Sequence, residues 1–378
     1  MSGAQVLIAE DFAPLRGLRV GLITNHTGTV VTPRGVRSTI DVLHESTALD
    51  LVALFGVEHG IRGEAEAGVQ ISSDVDAATG LPVHSLYGQT NRPTAEMLRG
   101  IDALVFDIQD VGVRYYTYAW SMVHALRAAA ENHVKFVVLD RPDPIGGVLV
   151  QGSILEPALS SLVGLEPVPM RYGMTIGELA RFANTEYGIG ADLVVVPMRG
   201  WRRTMWFDDT GLPWRAPSPN MPSLESAAHY AGTCLFEGTN LSAGRGTPLA
   251  FQQIGAPWLD NTAVAAALAR RGLPGVRIEP VTFTPEKPGD GKYPSTEVRG
   301  LRFTVTDRST YDPTVTAIAA LVEIRKLHPD SLQFRAAHFD RLAGNPRIRP
   351  QILDGMDVNA ITGGWREANA AFDARRRP

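Results

Sequence analysis

Short apolar runs recur along the first half of this 378-residue chain, separated by segments with helical spacing. The runs are Leu18–Thr24 (LRVGLIT), Leu49–Phe55 (LDLVALF), Val83–Gly88 (VHSLYG), Asp102–Gln109 (DALVFDIQ), Lys135–Asp140 (KFVVLD) and Asp192–Met198 (DLVVVPM). Each has the length of one strand, and most are apolar at consecutive positions, which a strand with one wet face does not need. Parallel strands covered by helices on both sides do need it. Val36–Ser46, Tyr118–His133 and Met174–Gly188 read as the intervening helices, and Thr175 with Glu178 three residues on forms a capping box. The expected fold is α/β: a Rossmann-like, doubly wound, mostly parallel sheet.

Beyond about Gly246 the pattern changes. Val276–Pro285 and Val298–Asp307 alternate with period two, and helices follow at about 312–327 and 364–375. That pattern predicts a smaller α+β domain, with residues 1–245 as the Rossmann-like domain and 246–378 as the second. A hydrophobic fraction of 44% against 20% charged residues is enough for two cores. The net charge of -4 and a pI near 6.2 leave no basic footprint for nucleic acid. The single cysteine, Cys234, rules out an intrachain disulfide. No run reaches the roughly 18 apolar residues of a membrane helix. The N-terminal stretch lacks the ordered parts of a signal peptide, so a cytoplasmic location is expected for the sequence as written, with export by a signal outside it as the alternative. The oligomeric state is not legible.

In an open parallel sheet, ligands bind beyond the carboxyl ends of the strands. Four such ends carry ionisable groups: Asn25–Gly28 (NHTG), Phe55–Gly68 (FGVEHGIRGEAEAG), Asp107–Tyr118 (DIQDVGVRYYTY) and Asp140–Pro144 (DRPDP). They converge Glu58, Asp107, Asp110 and Asp140 with Arg62, Arg114 and Arg141. Acids after strands also cap helices and pair with arginines, so each alone has a structural reading. The aromatics of RYYTYAW fit the packed start of a helix as well as a sugar-stacking wall. No G-x-G-x-x-G follows the first strand, and no phosphate loop or H-E-x-x-H occurs. No cofactor and no metal are therefore expected. Carboxylates, arginines and aromatics remain, a set suited to hydrolysing a glycosidic bond, with one proton-donating acid and charge stabilisation at the anomeric carbon.

A second polar stretch runs from the proline-rich Ala216–Ala227 (APSPNMPSLESA) to Cys234–Phe251 (CLFEGTNLSAGRGTPLAF), carrying Asn220, Glu237, Asn240 and Arg245. With LITNHTG, GVEHGIRG, SLYG, DIQDVGVRYYTY, LDRPDPIGG, PMRYGMTIGELA and SPNMPS, the motif CLFEGTNLSAGRGTP makes the chain resemble the NamZ-type exo-β-N-acetylmuramidases over nearly its whole length. The resemblance implies a Rossmann-like domain without nucleotide and a smaller C-terminal domain closing an active cleft. It also implies release of N-acetylmuramic acid from the non-reducing ends of small peptidoglycan-derived saccharides. The glutamate of its G-x-E-H-G motif, Glu58, is then the candidate acid/base. Asp110 and Asp107 rank above Glu64 and Glu237 as the partner carboxylate. For substrate binding, Arg62, Arg114 and Arg245 are candidates for the lactyl carboxylate, and Asn25, Asn220 and Asn240 for the acetamido group. His59, Gln109, Tyr116, Tyr118, Asp140 and Glu237 complete the expected site. Two other readings stay open: a non-catalytic binding protein for an anionic amino sugar or muropeptide, and a phosphohydrolase-like enzyme holding magnesium on Asp107 and Asp110.

Overall fold

The computed structural model describes residues 1–32, 35–58, 60–61, 74–88 and 90–377. They form two compact units, the first from residues 1–112, 116–148 and 173–219, the second from residues 113–115, 149–172 and 220–378. The chain therefore passes between units several times, and the segment from Asn220 to Arg245, expected in the first domain, belongs to the second unit.

The first unit contains β1 (Arg19–Thr24), β2 (Thr29–Thr32), β3 (Gly35–Ser38), β4 (Asp50–Gly56), β5 (Asp74–Val75), β6 (Pro82–Ser85), β7 (Ala103–Asp107) and β8 (Lys135–Leu139). The second contains β9 (Gln151–Ile154) and β10 (Pro169–Arg171). The chain then returns to the first unit for β11 (Leu193–Val196) and to the second for β12 (Gln253–Ala256), β13 (Val276–Phe283) and β14 (Val298–Val305). The main sheet has the order β11-β8-β7-β1-β4-β6-β5, parallel throughout except for the antiparallel edge strand β5. The chain builds outward from β1 through β4 to β6, then returns to the other side of β1 for β7, β8 and β11. The direction of winding thus reverses between β1 and β7, the place where doubly wound folds open a ligand crevice.

Consecutive strand residues point to opposite faces. Leu22 and Ile23, Leu54 and Phe55, Val105 and Phe106, and Val137 and Val138 are all fully buried. Both faces of the sheet are therefore covered, as the continuous apolar runs require. Thr24 lies level with Gly56 on one side and with Asp107 on the other, and Gly56 with Ser85. The segments after β1, β4, β6 and β7 consequently leave the same edge of the sheet.

The helix expected over Val36–Ser46 is shorter. Val36–Ser38 pair with Thr29–Val31 in an antiparallel hairpin, and the helix begins at Thr39 once the Ser38 hydroxyl caps the Ile40 N–H at 3.2 Å. The expected capping box at Thr175 and Glu178 is present at the start of Ile176–Glu186. A helix at Gly3–Ala9, with Ser2 and Gln5 as its capping box, adds to the expected elements.

In the second unit β12, β14 and β13 form an antiparallel sheet. Exposure alternates along β13 up to Glu279 and again from Val281. Glu279 and Pro280 are both exposed, so the predicted period of two breaks there. Along β14 it gives way where Gly300 and Leu301 are buried side by side. Helix Asn261–Arg271 packs on β13 and β14 and in turn against helix Pro313–Leu327, which opens on Asp312, whose carboxylate accepts from the Thr314 and Val315 N–H groups. Among the described residues no helix is long and apolar enough to cross a membrane.

Candidate active site

Glu58 lies two residues beyond the end of β4 and is only partly buried. Two hydroxyls hold its carboxylate, one on each oxygen. Tyr87 Oη donates to Oε1 at 3.0 Å and Thr117 Oγ1 donates to Oε2 at 2.7 Å. Tyr87 follows β6, the neighbour of β4, and Thr117 is the first residue of the helix Thr117–Glu131. Burial pushes the Tyr87 phenol up to about 12, and the adjacent Glu58 charge adds to the effect.

Around this carboxylate the sheet edge gathers further polar groups. The phenols of Tyr116 and Tyr118 stand edge to face at 4.9 Å, and both are raised far above their ordinary range, first by burial and then by charges that include Glu58 and Asp110. Asp110 is buried, and its Oδ2 accepts from the Gly112 N–H at 2.8 Å. Gly112 has φ +75°, and a Cβ there would meet the Asp143 carboxylate at 2.3 Å, so the turn that presents Asp110 needs glycine. Asn25 Oδ1 accepts from the N–H and the hydroxyl of Thr27 at 2.9 and 2.5 Å, and its side chain lies against the Tyr118 phenol. The proline-rich stretch closes this group: Ala216 O meets His26 Nε2 at 2.7 Å, and Pro217 O accepts from Tyr118 Oη at 2.8 Å. Tyr116 and Tyr118 are thus packed and bonded at the start of a helix, with 8% and 1% of their surface exposed, which leaves little face for stacking a sugar.

Several expected site residues serve other purposes. Asp107, a candidate catalytic carboxylate, is wholly buried: its Oδ1 accepts from Arg141 Nε at 2.6 Å, and its Oδ2 accepts from Arg141 Nη2 at 2.9 Å and from Thr39 Oγ1 at 2.6 Å. Both of its oxygens are committed to a bidentate pair. Gln109 Nε2 donates to the Asp110 and Pro142 carbonyls, each at 2.8 Å, and so shapes the turn. Asp140 caps the helix Ile176–Glu186, its Oδ1 accepting from Gly177 N at 2.8 Å and its Oδ2 from Thr175 Oγ1 at 3.0 Å. Burial lifts its carboxyl to about 6.

The expectation that Arg114 reads a substrate carboxylate gives way. Its side chain is fully buried in the second unit, and its guanidinium donates to the Ser153, Val168 and Leu342 carbonyls at 2.6, 2.9 and 2.8 Å. Also in that unit, Arg245 pairs with Glu237 at 2.5 Å and lies 5.4 Å from the Phe251 ring centroid. Asn240 bonds Ser331 O and the Gln333 N–H, tying its loop down. Asn220 is partly exposed. His59, Arg62 and Glu64 lie outside the described residues. Among the described residues no group of three or more His, Cys, Asp or Glu side chains is arranged to hold a metal ion.

Sequence reasoning missed Tyr87 and Thr117. Tyr87 had a signal in SLYG, a polar-tipped aromatic directly after a strand adjacent to β4. Thr117 was hidden among the tyrosines of RYYTYAW.

Residues 20–225 match the family model described as exo-β-N-acetylmuramidase NamZ, N-terminal, and residues 228–378 the corresponding C-terminal model. The chain belongs to the NamZ family. It is 45% identical over 377 residues to the peptidoglycan β-N-acetylmuramidase NamZ of Bacillus subtilis (strain 168), an alignment covering 100% of this chain and 90% of that protein. Among solved structures, a DUF1343 family protein of Bacteroides fragilis NCTC 9343 matches with a TM-score of 0.92 at 36% identity, over 100% of this chain and 97% of that one. A second DUF1343 protein of the same organism matches with a TM-score of 0.76 at 31% identity and the same coverage. These NamZ-family relationships run the length of the chain and agree with its Rossmann-like first unit and α+β second unit.

Proposed function

We infer that this chain is an exo-acting β-N-acetylmuramidase that releases N-acetylmuramic acid from the non-reducing ends of peptidoglycan fragments, with Glu58 as its general acid. Membership of the NamZ family along the whole chain carries the activity. The position of Glu58 carries the assignment of the acid: a partly exposed carboxyl at the end of β4, beside the switch point, with a hydroxyl on each oxygen. Glycosidic cleavage needs a proton delivered to the departing oxygen as positive charge develops at the anomeric carbon. A carboxyl in fixed orientation meets that need.

Asp110 is the proposed partner carboxylate. Asp107 is sealed against Arg141, whereas Asp110 acts on the same two phenols as Glu58. Its role is to support the anomeric carbon, directly or by orienting the acetamido group of the substrate.

The test is turnover of an N-acetylmuramyl-β-1,4-N-acetylglucosamine disaccharide. Glu58→Gln preserves shape and removes the acid, so kcat should fall by roughly 10²–10⁴-fold while the thermal midpoint holds. Near-parental turnover by Glu58→Gln sinks the assignment. Binding of the disaccharide without hydrolysis by the parent would point to the non-catalytic binding protein instead.

A further inference from the structure

The two hydroxyls on Glu58 come from elements that the activity alone does not explain. We propose that Tyr87 and Thr117 are positioning residues for proton donation by Glu58, holding the carboxyl plane and stabilising the carboxylate that remains once the proton has left. This rests on the reading of Glu58 as the general acid.

The geometry is reciprocal. Oε1 receives Tyr87 Oη at 3.0 Å and Oε2 receives Thr117 Oγ1 at 2.7 Å, so rotation about the terminal carboxyl bond costs both bonds. The donors come from different places, one after β6 and the other from the first turn of a 15-residue helix. Neither donor can move with Glu58 as a local unit. In the first step the carboxyl proton passes to the glycosidic oxygen while the bond from that oxygen to C1 breaks. The bonding electron pair goes to the leaving oxygen, and one negative charge stays on Glu58. The positive charge left at C1 is met by Asp110 or the substrate's acetamido oxygen until water adds there and returns a proton to Glu58. The charge on Glu58 meets two hydroxyl donors and the positive end of the helix dipole. Hydrogen bonds to a charged acceptor are stronger than those to a neutral one, so the two hydroxyls stabilise the state after donation more than the state before it.

Tyrosine beside a carboxylate has another use in glycosidases, as a nucleophile. The environment of Tyr87 argues for a donor instead. Burial and the Glu58 charge both favour the neutral phenol, and a neutral phenol donates a hydrogen bond but attacks carbon poorly.

The experiment uses the full chain and two substrates: the muramyl disaccharide, whose sugar leaving group needs a proton, and a 2,4-dinitrophenyl β-muramide, whose leaving group needs little help. Thr117→Val keeps the shape and removes the hydroxyl; Thr117→Ser keeps the hydroxyl; Tyr87→Phe removes only the phenolic oxygen. On the disaccharide, Thr117→Val and Tyr87→Phe should each lose about 10- to 100-fold in kcat with KM within about twofold, the size expected for one bond to a charged group. On the dinitrophenyl substrate the loss should shrink to a few-fold, and Thr117→Ser should recover most of the turnover. A merely structural role predicts equal losses on both substrates and a lowered thermal midpoint, which overturns the proposal. Glu58→Gln in the same assay separates the two readings. If it collapses on the disaccharide while Thr117→Val and Tyr87→Phe match the parent, the positioning role is wrong and the acid is right. If it keeps parental turnover, both fall.

Discussion

Two carboxylates end neighbouring parts of one sheet edge and meet opposite fates. Glu58 follows β4, partly exposed, and among the described residues two hydroxyls donate to it, one on each oxygen. Asp107 ends β7, fully buried, and is clamped by a guanidinium through both oxygens. Both sit where a doubly wound sheet places ligands, so position alone does not distinguish them. Their partners do. The hydroxyls orient the Glu58 carboxyl while part of its surface stays exposed. The buried Arg141 engages both oxygens of Asp107 and makes it a brace between β7 and the segment after β8.

The largest expected effects test this contrast directly. Glu58→Gln should cost roughly 10²–10⁴-fold in kcat and leave the urea midpoint within experimental scatter. Asp107→Asn should do the reverse at the level of the fold. It leaves the Arg141 charge buried without its counter-ion, which typically costs about 3–5 kcal/mol. Denaturant titrations of both variants, beside kcat for the fraction that stays folded, check the pair. An Asp107→Asn variant with parental stability and abolished turnover would restore Asp107 as a catalytic candidate.

Asp140 stands between these extremes. It directly follows β8 at the same edge and is buried, yet its hydrogen-bond donors are uncharged: the Gly177 N–H, the Thr175 hydroxyl and the Arg141 backbone N–H. Burial lifts its carboxyl to about 6 from the ordinary 3.8. Between those values the folded chain holds a proton that the unfolded chain has lost. The stabilising contribution of this group is therefore complete below about pH 4 and is lost as pH rises through about 6. Asn at this position has no proton to lose. The stability of the parent relative to Asp140→Asn should thus fall from pH 4 to pH 7, by on the order of 2–3 kcal/mol for a shift of about two pH units. Urea midpoints of the two chains across that range read the effect, and a constant or rising difference would contradict the buried-cap reading.

The same contrast explains what was legible in the sequence. Continuous apolar runs identified the parallel strands because burial on both faces leaves no polar alternative, and Leu22–Ile23 and Val105–Phe106 bear that out. Glu58 stood out as a candidate because the apolar run of β4 leads straight into charged residues and glycines. The partners of each carboxylate were not visible. Asp107 meets Arg141 and Thr39 across 34 and 68 residues of sequence, and Glu58 meets Thr117 across 59. Nothing local encodes such pairings. Arg114 shows the cost most clearly. An arginine beside tyrosines in a loop reads as a ligand group, yet three backbone carbonyls, one of them 228 residues away, enclose it.

The smallest effect separates distance from burial. Arg16 and Asp11 meet at 2.6 Å, the same separation as Arg141 Nε and Asp107 Oδ1. The side chains of the first pair are 57% and 80% exposed, those of the second 6% and 0%. In water the attraction is screened, each long side chain loses rotamer freedom on pairing, and either ion regains full hydration when its partner is removed. Asp11→Asn should therefore change stability by less than about 1 kcal/mol, and the remainder should fade as salt rises towards 1 M, where the screening length is about 3 Å. Asp107→Asn should keep its full cost at that ionic strength, because no solvent ions reach a buried pair. Equal salt sensitivity in the two variants would mean that the Asp107 pair is open to solvent, and the account of Asp107 as a sealed brace would fail with it.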